Sequence, residues 1–145
     1  MANYMFQSAL LSIIEGDIVL DTDDIRVALV GASHSSDADA DTVVGDANTL
    51  DECDRGSYAR VALANEATTR EDGSDRVIFT SDDITTFGDL EVGFTVAGAI
   101  FYKHVTNDSD SPLLWFYDLT NTPTNGEAFG LDKHGDGHWM KFTRV

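Results

Sequence analysis

Residues 113–117, Leu113-Leu114-Trp115-Phe116-Tyr117, form the densest apolar run of the chain, together with Ile100-Phe101-Tyr102. Continuous apolar runs of this kind predict strands that are buried on both faces, because a strand with one face in water alternates apolar and polar residues. One face is expected to belong to the domain core. The other face either belongs to the core as well or forms a subunit interface, where Trp, Tyr and Phe are enriched.

Further strand-like runs fill the chain from residue 25 onwards. In the run from Ile25 to Val30, the side chains of Ile25, Val27 and Leu29 share one face, and the run 58–63 has the same kind of alternation. The other predicted strands are 76–80, 92–102, 113–119, 127–131 and 138–145. The segments between these runs are rich in Asp, Ser, Gly, Asn and Thr, which is typical of turns.

A single helix is predicted near the N-terminus. Asn3 is the predicted cap, and the apolar residues Phe6, Leu10, Ile13 and Ile14 follow at helical spacing. Gly16 is placed to end this helix. One short helix followed by about seven strands predicts a mainly β fold, an antiparallel β-sandwich or jelly-roll-like domain, and 145 residues are expected to form one domain over 1–145.

The chain carries a large acidic excess, with 26 Asp and Glu against nine Lys and Arg, and a formal charge of −17. A magnitude of roughly 2–8 is typical of a small domain. The excess argues against nucleic acid and against an anionic membrane surface as partners, since both are bound through basic side chains. The single Cys53 excludes an internal disulfide, and no apolar run approaches the ~20 residues of a membrane span. We therefore expect a soluble protein made in a cytoplasm.

Residues 31–56 form the longest irregular stretch, rich in Ser, Asp and Ala. A loop of this length is uncommon in a compact domain and is usually functional or disordered. Two interpretations remain open from the sequence. The segment is an arm that becomes ordered only against a neighbouring subunit, or it is a free acidic loop.

The segment 132–138 contains the best candidate metal ligands of the chain: Asp132, His134, Asp136 and His138. In an extended backbone these four side chains would face one way, and imidazole with carboxylate suits zinc or another transition ion. Gly135 and Gly137 interrupt strand geometry, however, so the same segment also predicts a turn leading into the last strand. The turn is the preferred interpretation, and the metal site is the alternative.

Calcium and catalytic motifs are not matched in the sequence. The alternating acids Asp37, Asp39 and Asp41 resemble the start of a calcium loop, but Thr42 and Asn48 stand where an EF-hand needs Gly and Glu. No Gly-x-Ser-x-Gly elbow, phosphate-binding glycine loop or His-Glu-x-x-His motif occurs. We therefore expect a protein that is not an enzyme and needs no cofactor.

The order of these runs resembles a family of small tailed-bacteriophage structural proteins, the capsid cement or decoration proteins. The resemblance rests on five stretches after the Phe6–Ile14 helix, and it covers most of the chain outside residues 31–56 and the His-rich end. These stretches are 20–29, 56–65, 77–79 with the turn after it, 97–102 and 110–114.

The resemblance implies a homotrimeric subunit that binds the major capsid protein on the outer surface of the phage head and stabilises contacts between capsomers. The implied location is the virion, after synthesis in the host cytoplasm. Alternatives are a tail, neck or baseplate subunit, a receptor- or carbohydrate-binding module with exposed Trp115, Tyr117 and Trp139, and a metal-assisted hydrolase built on Asp132, His134 and Asp136. The predicted interface residues are Phe6, Leu10, Phe101, Tyr102, Trp115, Tyr117 and Trp139.

Overall fold

The computed structural model describes residues 2–144, which form two antiparallel sheets and one α-helix. The mainly β, two-sheet fold with a short N-terminal helix, as predicted from the sequence, is confirmed. The helix α1 spans Gln7–Glu15. The strands are β1 (Tyr4–Met5), β2 (Ile25–Gly31), β3 (Val61–Ala62), β4 (Ala67–Glu71), β5 (Arg76–Thr80), β6 (Thr95–Lys103), β7 (Leu113–Pro123) and β8 (Met140–Thr143).

The larger sheet has the strand order β1-β7-β6-β2-β3. The two apolar runs of the sequence pair at its centre, where Phe101 of β6 lies opposite Trp115 of β7 and Ile100 lies opposite Phe116. Burial of this part of β7 on both faces is confirmed, because residues 113–116 are all buried. The edge strands β1 and β3 are only two residues long each, so the sheet presents little regular edge for pairing with another chain.

A glycine allows the close packing of β6 on β7. A Cβ atom at Gly98 would lie 2.3 Å from Cζ of Phe116, closer than side-chain atoms can approach. The Phe116 ring therefore occupies the space above this glycine, and its ring also stacks on Tyr4 of β1 with centroids 5.2 Å apart. Phe116 thus ties three strands of the sheet together.

The smaller sheet, β4-β5-β8, packs on the larger one through aromatic side chains. Phe79 of β5 contacts Trp115 edge to face at 5.8 Å, and Trp139, just before β8, contacts Phe101 at 5.1 Å. The indole Nε1 of Trp139 donates a hydrogen bond of 2.7 Å to Oγ of Ser81 in the core. The two predicted aromatic strands therefore form the centre of a core shared by both sheets.

Helix α1 ends where the sequence predicts but begins differently. Gly16 adopts the left-handed conformation, with φ of 83°, and its N–H bonds to the last turn, which confirms it as the C-terminal stop. The predicted cap at Asn3 is wrong: the residue before the helix is Phe6, and Oδ1 of Asn3 instead accepts a hydrogen bond from the N–H of Asp118. Among residues 2–144 no helix is long and apolar enough to cross a membrane.

Two predicted strands are much reduced in the structure, and two observed strands, β1 and β4, were not predicted. The run 58–63 contributes only the two residues of β3, and the run 127–131 forms isolated bridges at Ala128 and Leu131. Strand β4 has no counterpart among the predictions. Its residues Ala-Thr-Thr-Arg-Glu are polar and mostly exposed, and they form a strand because they pair along their whole length with β5.

Residues 31–56 pack on the domain and contain the buried residues His34, Asp41, Val44 and Cys53. Backbone hydrogen bonds join this segment to β2, to α1 and to the loop before β7. Burial also raises the pKa of the Cys53 thiol, more than the neighbouring acids do. The segment is therefore a packed loop of this chain, which corrects its interpretation as an arm that becomes ordered only against a neighbour.

The Arg60 guanidinium holds this loop in place. Its Nε and Nη2 donate to both carboxylate oxygens of Glu52 at 2.7 Å, and its Nη1 and Nη2 donate to Asp108 at 2.5 and 2.8 Å. The side chain is only 23% exposed and also lies over the Tyr102 ring. Tyr58 completes the cluster, since its hydroxyl donates to Glu52 and accepts from the N–H of Leu29. We call these residues the Arg60 cluster.

Many Asp side chains serve the turns themselves. Asp46 accepts the backbone N–H groups of Thr42 and Val43, and Asp110 accepts those of Thr106 and Asn107. The short Asp side chain reaches a backbone N–H within a few residues, whereas Glu favours helices. The Asp residues thus stabilise the turns between the strands and also contribute to the negative charge of the protein.

Candidate functional site

A shallow apolar groove of about 370 Å³ lies between the N-terminal segment, β7 and β8. Six apolar or aromatic side chains on its walls are Tyr4, Met5, Leu10, Tyr117, Met140 and Phe142. The two tryptophans Trp115 and Trp139 also line it, although each is only 4% exposed. The groove is thus an open extension of the core.

Helix α1 extends this apolar surface into solvent. Leu10, Leu11 and Ile14 are 41%, 55% and 75% exposed, and residues three or four apart are neighbours on a helix surface. We call the groove together with these three side chains the apolar face. Of the residues at helical spacing, Phe6 is buried, as is Ala9, whereas Leu10 and Ile14 lie on the exposed side. A solvated helix presenting three large aliphatic side chains is a candidate contact surface.

Acidic groups border the apolar face at the end of the helix. Glu15 and Asp17 are exposed directly after Ile14, and Lys141 is the basic residue that lines the groove. Close to the face the balance is therefore acidic, as it is over the whole chain. A partner surface of apolar residues with a basic rim would match it.

The structure separates the predicted interface residues into two groups. Phe6, Phe101, Tyr102, Trp115 and Trp139 are between 0% and 4% exposed, so their side chains belong to the chain's own core. Leu10 and Tyr117 line the groove and keep accessible surface. Sequence reasoning missed Met5, Leu11 and Phe142 as members of the same face. The only indication in the sequence was that these three residues are apolar at positions that had not been assigned to the core.

The segment 132–138 forms the predicted turn, and that turn brings three of the four candidate ligands together. The N–H of Gly137 donates to the carbonyl oxygen of His134 at 2.7 Å, with φ of 84° at Gly137. One potential ligand atom each of His134, Asp136 and His138 lies within 4.8 Å of the others. Asp132 precedes the turn and is not part of this group.

Asp136 is the centre of this group of side chains. Its Oδ2 accepts a hydrogen bond of 3.0 Å from Nη1 of Arg76, and its Oδ1 pairs with Nδ1 of His134. These contacts, that with Arg76 first, hold the pKa of the Asp136 carboxyl well below its usual range. Burial lowers the pKa of His138, which keeps its imidazole neutral at neutral pH.

The acidic run 37–41 uses its carboxylates internally. Oδ1 of Asp37 accepts the N–H groups of Asp39 and Ala40, and Oδ2 of Asp41 accepts the N–H of Asp37 at 2.7 Å. These are turn-forming contacts that engage the oxygens a cation would need. The default interpretation of this run, an acidic loop, accounts for its geometry.

Comparison of the chain with protein-family models, with curated proteins and with solved structures found no match.

Proposed function

We propose that the protein is a structural, non-enzymatic assembly module, specifically a decoration subunit that binds the major capsid protein on the outer surface of a tailed-phage head. The observation that carries the proposal is the apolar face, with Leu10, Leu11 and Ile14 exposed on a chain of net charge −17. The family resemblance supplies the identity of the partner. The stabilising contacts between capsomers would be made through this face.

Leaving the apolar face in water is unfavourable, and burial against a partner would recover that free energy. Burying an exposed Leu or Ile side chain contributes about 1.5–3 kcal/mol when burial is complete. Three such side chains next to a groove form an exposed apolar patch of the kind that marks protein–protein contact sites. The surrounding acids would attract a basic rim on the partner and repel DNA and other acidic surfaces. The face therefore favours one class of partner, an apolar protein surface bordered by Lys or Arg.

The carbohydrate- or receptor-binding alternative is less well supported by the site. Stacking on a sugar ring requires exposed aromatic faces, but Trp115 and Trp139 are each 4% exposed. Tyr117 alone of the three keeps appreciable accessible surface. A tail, neck or baseplate subunit could use the same apolar face, so this alternative is an outcome of the test below.

The homotrimer implied by the resemblance remains a prediction. Three copies with −17 each would carry −51, so they would repel one another at low ionic strength. Sedimentation of the purified chain between low and high salt measures this directly. A trimer at moderate salt supports the prediction, and a monomer at every salt concentration would contradict it.

The test of the proposed function is binding to DNA-filled heads that lack the protein, with Ile14→Asp as the variant. Ile14 is 75% exposed, so the substitution should leave the fold intact, and loss of about 2 kcal/mol of contact energy should weaken binding roughly 30-fold. Val92→Asp is the matched control, because Val92 is 69% exposed but lies in the loop between β5 and β6.

Three results would decide between the candidates. Saturable binding to heads that Ile14→Asp weakens and Val92→Asp does not, with better survival of the decorated heads on heating, supports the proposal. Binding to purified tails but not to heads would replace it with the tail alternative. Heads that are equally heat-resistant with and without saturating protein would refute the stabilising role.

A further inference from the structure

We propose that the turn before β8 binds one divalent transition-metal ion of the zinc class through His134, Asp136 and His138. This inference is independent of the apolar face and of the partner proposed for it. It concerns a second site, in the smaller sheet, built from side chains that the docking function does not use.

The types of donor atom and their spacing are typical of a zinc site. Two imidazole nitrogens and one carboxylate oxygen are a common zinc ligand set, and the three donors already lie within 4.8 Å of one another. Ligands about 2.1 Å from a tetrahedral ion are separated by roughly 3.4 Å. A small rearrangement of the turn would therefore suffice: the hydrogen-bonded His134–Asp136 pair would open, and His138 would move closer to Asp136.

Nδ1 of His138 is a second, independent indication of a bound cation. His138 is 3% exposed, and its Nδ1 has no hydrogen-bond partner among residues 2–144. The same nitrogen lies 3.8 Å from Oδ2 of Asp136, on the side where the other two ligands are. An unpaired buried polar atom costs about 1–3 kcal/mol, so its retention beside two further ligands needs an explanation. A bound cation would satisfy it.

The surroundings of the turn hold these ligands in position. Arg76 donates to Oδ2 of Asp136 and also pairs with Glu71, which leaves Oδ1 of Asp136 directed towards His134. Hydroxyl Oγ1 of Thr80 donates to the carbonyl oxygen of Gly137 at 2.9 Å and fixes the turn to β5. Contacts of this kind outside the ligand set orient metal ligands in proteins. The positive Arg76 lowers the expected affinity, and Glu71 offsets part of its charge.

The bound ion would replace the His134–Asp136 hydrogen bond, and the neutral His134 imidazole would carry its proton on the ring nitrogen that does not bind the ion. Three protein ligands leave a fourth tetrahedral position, which water can fill because His134 and Asp136 are both exposed. The consequence for the protein is mechanical: the ion would join the exposed end of the turn to the buried His138. It would thereby fix the start of β8 against β5.

The experiment is calorimetric titration of the chelator-treated full chain with Zn²⁺, together with Co²⁺ titration followed by visible absorption. We expect one equivalent of Zn²⁺ to bind at micromolar concentration, and we expect bound Co²⁺ to show an absorption spectrum of tetrahedral or five-coordinate type. The temperature midpoint of unfolding should rise by several degrees at 100-fold excess Zn²⁺. His134→Gln should weaken binding at least 10-fold. This residue is exposed, so the substitution should leave the fold unchanged.

The control and the contrary outcomes are matched to the ligands. His104→Gln removes a histidine that lies outside the cluster and should leave Zn²⁺ affinity unchanged. Asp136→Asn should also weaken binding, with its metal-free unfolding midpoint measured separately because Arg76 loses an ion pair. Absence of stoichiometric binding at 100 μM Zn²⁺, or equal affinities for the wild type and His134→Gln, would overturn the proposal.

Discussion

The Arg60 cluster offers the sharpest test of what holds the acidic loop on the domain. Replacing Arg60 by Met keeps most of the aliphatic stem and removes four charge-assisted hydrogen bonds, two to Glu52 and two to Asp108. It also leaves two carboxylates facing each other without their shared cation. The substitution therefore acts on the segments that carry Glu52 and Asp108 at once.

The size of the effect follows from exposure. Removing one partner of a buried ion pair costs about 3–5 kcal/mol, because the remaining charge stays desolvated. Arg60 and Glu52 are 23% and 22% exposed, but Asp108 is 41% exposed, so solvent screens part of the loss. We expect a loss of about 3 kcal/mol in the free energy of unfolding. For a chain of this length that corresponds to a fall of roughly 10 °C in the unfolding midpoint.

The assay is urea unfolding followed by tryptophan fluorescence at pH 7, with Arg26→Met as the matched control. Arg26 makes a comparable pair with Asp24, but the two side chains are 36% and 42% exposed. Exposed pairs contribute about 0–1 kcal/mol, so the control should lose less than about 1 kcal/mol. Equal losses in the two variants would refute the argument that burial and the shared cation make the Arg60 cluster stabilising.

The dependence of the unfolding free energy on pH in acid provides a second test of the Arg60 cluster. Hydrogen bonding to Arg60 lowers the pKa of Asp108 in the folded state. A carboxyl group with a lowered folded-state pKa stabilises the protein above its unfolded-state pKa of about 4, and this contribution is lost as pH falls through the folded-state value. The Arg60→Met variant should lack that part of the acid dependence. The difference between variant and wild type should therefore shrink below about pH 4.

Two other core groups give independent predictions. Trp115→Phe should cost less stability than Trp139→Phe, since Nε1 of Trp115 is buried without a partner in the described part of the chain, whereas that of Trp139 donates to Ser81. Thermal unfolding of both variants checks this, and the reverse order would contradict it. Burial lowers the pKa of His34 in the folded chain. Near pH 6.5 the unfolded chain therefore binds a proton that the folded chain does not, so the free energy of unfolding should fall as the pH decreases below that value. In His34→Gln the slope of unfolding free energy between pH 7 and 5 should be smaller than in the wild type, and an unchanged slope would exclude His34 as its source.

The strand pattern was predictable where residues bury both faces or alternate. Strands β2 and β5 and the buried half of β7 follow directly from such runs, because burial of apolar side chains dominates their free energy. Strand β4 could not be predicted, since its polar residues become a strand only through pairing with β5. The sequence predicts the exposed side of α1 only in part, through the interface residue Leu10. Helical spacing shows that Leu10 and Ile14 share a face, but it does not show which face meets the core.

The candidate sites were predictable to different degrees. The glycines of 132–138 predict a turn, and the spacing of histidine and aspartate indicates candidate metal ligands. From the sequence these two interpretations are alternatives. The structure shows that the turn is what gathers His134, Asp136 and His138, and the burial of His138 depends on long-range packing. The Arg60 cluster was not predictable, because Glu52 and Asp108 come from loops that are far apart in the sequence.

The pairing of β1 with β7 has a consequence for the order in which the chain can fold during synthesis. Tyr4 lies opposite Phe116, and Ile25 of β2 lies opposite Lys103, so β1 and β2 have partners that are synthesised much later than they are. Non-local pairings of this kind slow folding, because a long loop must close before the contacts form. Strand β3 can pair with only two residues of β2, so most of this apolar strand stays unpaired until β6 emerges. Chaperones that bind extended apolar segments would meet it in that interval.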